Sequence, residues 1–244
     1  MRRETQNVLL VLLGGAILKI AINGQYLRYV KPSLQPWLIL GGLVTVALAT
    51  IGIVRDIRAG SGSQDAGAVD AAHDHDHGSR SPWLLLLPVL AIFLVAPPAL
   101  GADKVARSGD RPAISQPGSS GIRYQELPAG EVPLLTMSET VTRAIWDESG
   151  TLNGRQIRLV GFVVRMPDGS MSLARLVIGC CAADAQPVRV RIDGDSLRGY
   201  PDDTWLEVRG EVVPGSATEA EAFVPRFTVA SAHKVPAPED PYES

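Results

Sequence analysis

The chain has 244 residues, 45% hydrophobic and 20% charged, with a formal net charge of -3. So small a net charge gives no electrostatic basis for nucleic-acid binding, and no basic stripe or RNA-binding aromatic motif is present. The cysteines, Cys180 and Cys181, are adjacent, which excludes a framework of disulfides between distant strands.

The apolar residues gather into three runs within the first hundred positions, which predicts an integral membrane protein with one globular extension. The first run, Asn7 to Ile22, follows Arg2 and Arg3 and carries Lys19 near its far end, where the long stem can snorkel to the headgroups. A signal peptide shares the basic start and apolar middle. However, Asn23, Gly24 and Gln25 do not make a small-x-small cleavage site, so the run reads as a first transmembrane helix. Gly14, Gly15, Gly41 and Gly42 permit close helix contact without forming a GxxxG motif. From Asn23 to Pro36 the chain mixes Tyr26, Tyr29, Arg28 and Lys31, an interfacial composition punctuated by Pro32 and Pro36. Trp37 opens a second, uncharged run to Val54, closed by Arg55, Asp56 and Arg58. Two spans joined by so short a loop must be antiparallel neighbours.

Residues 55–81 form a histidine-rich linker dominated by Gly, Ser, Ala and Asp, with no apolar periodicity. Within it, His73, His75 and His77 alternate with Asp74 and Asp76. In an extended chain alternate residues share one side, so the three imidazoles can converge on a transition-metal cation. The other reading is a solvated polar loop. A ligand set that must be ordered at the moment of binding suits weak, exchangeable capture. The third run, Trp83 to Leu100, contains Pro88, which predicts a kinked helix. Residues 1–100 are thus expected to be a three-helix membrane region. Arg2, Arg3, Arg55, Arg58 and Arg80 balance Arg28, Lys31, Lys104, Arg107 and Arg111, so the positive-inside rule selects no orientation. The short first tail favours an inside N-terminus, with the C-terminal domain extracytoplasmic.

Residues 101–121, rich in Gly, Ser and Pro, read as a tether, and 122–244 as a soluble domain. Thr136 and Glu139 form a capping box ahead of an amphipathic helix of about 12 residues. Strand patterns follow at Ile157 to Arg165, Met171 to Ile178, Val188 to Ile192, Trp205 to Val213 and Phe223 to Ala230; the turn Pro167 to Ser170 makes the first two a hairpin. Five short antiparallel strands and one helix predict a small, partly open OB-fold-like barrel, although here the helix precedes the first strand.

Cys180 and Cys181 end the second strand pattern. A thiolate is a nucleophile and a soft metal ligand, and Asp184 could add an oxygen ligand if the chain turns back there. Alternatively, the pair are small buried side chains beneath a turn. Gly161-Phe162-Val163, the run Leu176 to Ala185 and the run Trp205 to Gly210 resemble the YcgQ-like bacterial family of permease subunits. The resemblance extends over most of the chain, from the N-terminal hydrophobic pair and the His-x-His-x-His linker through the Leu-Gly-Ala junction at Leu100 to the barrel-like domain. Its specific part is the Cys-Cys-x-Ala-Asp-Ala string. It implies a bacterial cell membrane location, a multi-spanning permease-like partner and a transport-related role. Cys180, Cys181 and Asp184 match the family's motif, and His73, His75 and His77 match its linker.

The resulting expectation is an accessory permease subunit handling a divalent transition metal such as zinc, with two separate metal sites and no catalytic residues. The alternatives are a membrane-anchored scaffold module with inert cysteines, or a vicinal-thiol redox protein. Redox dithiols typically sit as Cys-x-x-Cys at a helix N-terminus; these follow a strand, with no nearby His and only Arg175 close in sequence. Nucleophile-elbow, P-loop and zincin motifs do not occur.

Overall fold

The structure, a computed structural model, describes residues 3–60, 98–108, 124–128 and 130–244. His73, His75, His77 and most of the third apolar run lie outside the described residues. The chain divides into two compact units: one holds two N-terminal helices, and the other joins Leu27–Lys31 to Ala99–Ser244.

The first two apolar runs form α1 (Arg3–Ile22) and α2 (Gln35–Gly60). Asn7 Nδ2 donates to Asp56 Oδ2 at 3.1 Å and Gln35 Nε2 to the Ala21 carbonyl at 3.1 Å, so the helices are antiparallel. Two of the four glycines singled out above lie in their contact. A Cβ on Gly14 would come within 2.7 Å of Val46 Cγ2 and one on Gly42 within 2.8 Å of Leu18 Cγ, whereas Gly15 and Gly41 face open space. Pro32–Arg58 is long and apolar enough to cross a membrane; Gln6–Ile22 is a shorter apolar helix. Along α2, Trp37, Leu40, Leu43, Leu48, Ile51 and Ile57 are exposed. Thr45 and Thr50 hydroxyls donate to the Gly41 and Val46 carbonyls one turn back, leaving no polar hydrogen to an apolar surround.

The second unit contains α3 (Ala102–Arg107), α4 (Met137–Trp146), β1 (Ile157–Arg165), β2 (Met171–Val177), β3 (Gln186–Asp193), β4 (Trp205–Val212), β5 (Arg226–Lys234) and β6 (Tyr242–Glu243). The strands form one mixed sheet in the order β1-β4-β5-β3-β2-β6, and β1 also pairs with β2, so β1 to β5 close into a ring. The expectation of five antiparallel strands is corrected here. β1–β2, β2–β3, β1–β4 and β4–β5 are antiparallel, but β3–β5 is parallel, as is β2–β6. An odd number of strands cannot alternate direction all the way round a closed ring, so one pairing must be parallel. Residue alternation along each strand carries no information about which. The fifth strand begins at Arg226, not Phe223, because Ala222 and Phe223 take left-handed φ of 51° and 59° and cannot join a ladder. Part of the segment read as a tether is ordered as α3: Ala102 and Val105 are buried, and Asp203 Oδ1 accepts from Ala102 N at 2.6 Å.

Two apolar clusters flank the sheet. Met171 and Leu173 of β2 pack with Leu159, Val190, Leu206 and Phe227, while the alternate residues Ala174 and Leu176 pack with Phe162, Val164, Val105 and Tyr242. That is why β2 is buried on both faces, Ser172 and Arg175 included, and shows no alternation of buried and exposed residues.

α4 is ten residues long, slightly shorter than expected, and its N-terminus is capped twice. Thr136 Oγ1 accepts from Glu139 N at 3.0 Å. The reciprocal half of the capping box is absent, because Glu139 Oε1 accepts from Arg143 Nε and Nη2 at 2.9 and 2.7 Å. Glu243 takes its place from the far end of the chain, its carboxylate accepting from Met137 N at 2.8 Å, Ser138 N at 2.9 Å and Ser138 Oγ at 2.5 Å. The same carboxylate lies 3.8 Å from Nε of the buried Arg175. Glu243→Ala removes a cap and leaves a buried guanidinium without its carboxylate, and should cost about 2–3 kcal/mol. Thermal unfolding followed by circular dichroism checks this; Glu243→Gln, which keeps one acceptor oxygen for the cap, should recover part of the loss.

Candidate metal centre

The site lies in the connection between β2 and β3. Ile178 N donates to the Glu243 carbonyl at 3.0 Å, which holds the end of β2. Gly179 to Cys181 then leave the sheet, and Ala182–Asp184 make one turn of 3₁₀-helix. The chain turns back, as a ligating Asp184 requires: its Oδ1 accepts from Gly179 N at 2.9 Å and its Oδ2 from Cys180 N at 2.7 Å. A second rail comes from Leu27–Lys31. Val30 forms an antiparallel bridge with Cys181, Ala182 N donates to the Tyr29 carbonyl at 2.7 Å, and Lys31 N donates to the Cys180 carbonyl at 3.2 Å. Tyr242 steadies this rail by donating its hydroxyl to the Arg28 carbonyl at 3.0 Å while accepting from Leu100 N at 3.1 Å.

The two sulfurs are 3.7 Å apart, both free thiols, and Cys180, Cys181 and Asp184 offer ligand atoms all within 4.8 Å of one another. Cys180 is exposed and Cys181 half-buried, so neither fills space in the core. The Cys180 thiol is pushed up to about 11, first by its hydrogen bond to the Asp184 carboxylate and then by that to Cys181. Asp184 is held below the usual carboxylate range by the same thiol and by the backbone N–H groups of Cys180, Gly179 and Cys181. At neutral pH Cys180 is therefore a protonated donor to a carboxylate and a poor nucleophile. A cation that displaces this proton would meet two sulfurs and an oxygen, a donor set for soft or borderline transition ions.

Arg175, the basic residue closest to the motif in sequence, is engaged elsewhere. Its Nη2 donates to the Tyr242 carbonyl at 3.2 Å and its guanidinium lies 5.0 Å from the Trp205 ring centre. Burial lowers its pKa, opposed by Glu243 and Asp240. Of the residues singled out for chemistry, the structure brings together Cys180, Cys181 and Asp184. Sequence reasoning missed Tyr29–Lys31, Tyr242 and Glu243, which hold the motif or the strand leading into it. No local signal marks them, because each acts on residues more than sixty positions away.

The protein thus has an antiparallel helix pair and a closed-ring β domain that carries the dithiol–carboxylate group. The chain matches the DUF1980 N-terminal domain over residues 5–109 and the DUF1980 C-terminal domain over residues 138–243. It belongs to the DUF1980 family, and the C-terminal match contains β1 to β6 and the Cys-Cys motif. No curated protein and no solved structure matches the chain.

Proposed function

We propose that this protein is an accessory subunit of a multi-spanning, permease-like bacterial membrane protein, and that its Cys180–Cys181–Asp184 centre receives a divalent transition metal such as zinc. The observation that carries the reading is the approach of three ligand atoms to within 4.8 Å in an exposed turn pinned by backbone hydrogen bonds. On this reading the helical region anchors the chain by several spans, the β domain is extracytoplasmic, and the ring of five strands is an OB-type barrel that presents the motif. The helices are a poor conduit in themselves. Ion pathways are marked by ionisable residues facing a bundle interior, and Asp56, at the end of α2, is already bonded to Asn7. Conduction is therefore assigned to the partner.

His73, His75 and His77 belong to the proposal as a second, weaker capture site that concentrates the cation without closing around it. A dithiol redox role is the lesser reading, because a thiol held near 11 by a neighbouring carboxylate is a weak attacking group at neutral pH.

Full-length protein in detergent should bind one zinc equivalent that Cys180→Ser with Cys181→Ser removes, and a separate, weaker one that His73→Ala, His75→Ala and His77→Ala remove together. Metal analysis after equilibrium dialysis reads both. Full retention of the tighter equivalent in the double serine variant would refute the cysteine centre. Purification from native membranes without any multi-spanning companion would refute the subunit assignment.

A further inference from the structure

Resting on the metal reading above, we propose that the centre takes a four-coordinate cation through Cys180, Cys181 and Asp184 and leaves the fourth position to an exchangeable ligand, making it a hand-over site and not a store. The argument begins with the separation of the sulfurs. With a metal–sulfur distance of about 2.3 Å, two thiolates on a tetrahedral ion stand about 3.8 Å apart, against about 3.3 Å along a right-angled edge and about 4.6 Å across a linear ion. The observed 3.7 Å matches the tetrahedral edge. Backbone restraints hold the main chain of both residues, and the thiol–thiol hydrogen bond sets the present spacing: Cys180 N is held by Asp184, the Cys180 carbonyl by Lys31 N, and Cys181 by its bridge to Val30.

Asp184 can serve as the third ligand without giving up its present role. An ionised carboxylate has about four lone-pair sites, and the hydrogen bonds donated by the backbone N–H groups of Gly179 and Cys180 use only part of that capacity. Bringing all three donors from within 4.8 Å onto one ion requires a closure of about 1 Å, within reach of rotating a side chain about its own bonds. Among the described residues the group contains three ligands, and Cys180 is exposed, so the fourth position opens to solvent. Structural sites close with four protein ligands, and an open fourth position is what permits ligand exchange. A linear, two-coordinate monovalent ion and a square-planar divalent ion both fit the sulfur pair less well.

Cobalt(II) tests this, added without oxygen to full-length protein in detergent carrying His73→Ala, His75→Ala and His77→Ala, so that the linker cannot contribute. Expected are a thiolate-to-cobalt charge-transfer band and intense visible bands of four-coordinate cobalt. The charge transfer should weaken in Cys180→Ser and in Cys181→Ser and vanish in the double variant. Added azide should shift the visible bands without releasing the metal. Absence of thiolate charge transfer would overturn the metal reading itself. Charge transfer with the weak visible bands of six-coordinate cobalt would overturn the four-coordinate assignment alone, and a four-coordinate spectrum indifferent to azide would overturn the open position.

Discussion

Changing Asp184 to asparagine should make Cys180 alkylate about tenfold faster at pH 7. A thiol pushed up to about 11 is ionised in roughly one molecule in ten thousand at that pH, whereas an ordinary thiol near 8.5–9 is ionised in about one in a hundred. A less basic thiolate is intrinsically less nucleophilic, with a Brønsted slope of about 0.4–0.5, and this cancels about half of the logarithmic gain. About one decade of rate remains. The sign follows from the hydrogen bond: the Asp184 carboxylate accepts from the neutral thiol and repels the thiolate, so it raises the Cys180 pKa. The pH profile gives a second readout. With Asp184 present, the rate should go on climbing tenfold per pH unit past the ordinary thiol value, because the carboxylate is the largest cause of the raised pKa. In the asparagine variant it should level off near the ordinary thiol value. Iodoacetamide kinetics in a Cys181→Ser background isolate Cys180, and superimposable profiles for the two forms would refute the coupling. The same variant should bind zinc more weakly despite its easier ionisation, because it has lost an anionic oxygen ligand.

A second large effect is expected from Gly210→Ala. A Cβ at that position would lie 2.0 Å from the Thr228 carbonyl oxygen and 2.7 Å from Cε1 of Phe227, which is completely buried. The carbonyl belongs to the chain of β5 and cannot retreat without disturbing the β4–β5 ladder. That ladder already shifts register between Arg209 and Gly210. Overpacking against backbone should cost about 3 kcal/mol, lowering the melting temperature of the β domain by roughly 10 °C. Gly199→Ala, which meets nothing within 4 Å, is the control and should leave the transition in place. A drop of less than about 2 °C in the Gly210 variant would mean that the β4–β5 pairing yields far more easily than a packed sheet should.

These two positions differ in how much of their role was legible in the chain. Asp184 was recognisable as a ligand candidate because it lies close in sequence to the two cysteines, and one turn brings all three together. Gly210 stood in a recognisable strand, but nothing near it announced that Phe227 would press against its missing side chain. The same distinction runs through the helices. Apolar length alone was enough to find α1 and α2, and the short loop between them required an antiparallel pair. Which of the four glycines would meet the other helix depended on the rotation of each helix about its axis, and Gly14 and Gly42 were selected by that packing.

The local elements were legible in the chain: two long apolar helices, the Thr136 cap and the stretches that become strands, because hydrophobic period and end-capping chemistry act over a few residues. So was the composition of the candidate centre, since all three donors lie within five consecutive positions. The parallel β3–β5 pairing, the entry of Glu243 as a cap for α4 and the use of Tyr29–Lys31 to pin the cysteine turn emerge from long-range packing. Each of these joins groups whose distance along the chain carries no local signature, and ring closure and hydrogen-bond satisfaction select them only once the whole β domain is assembled.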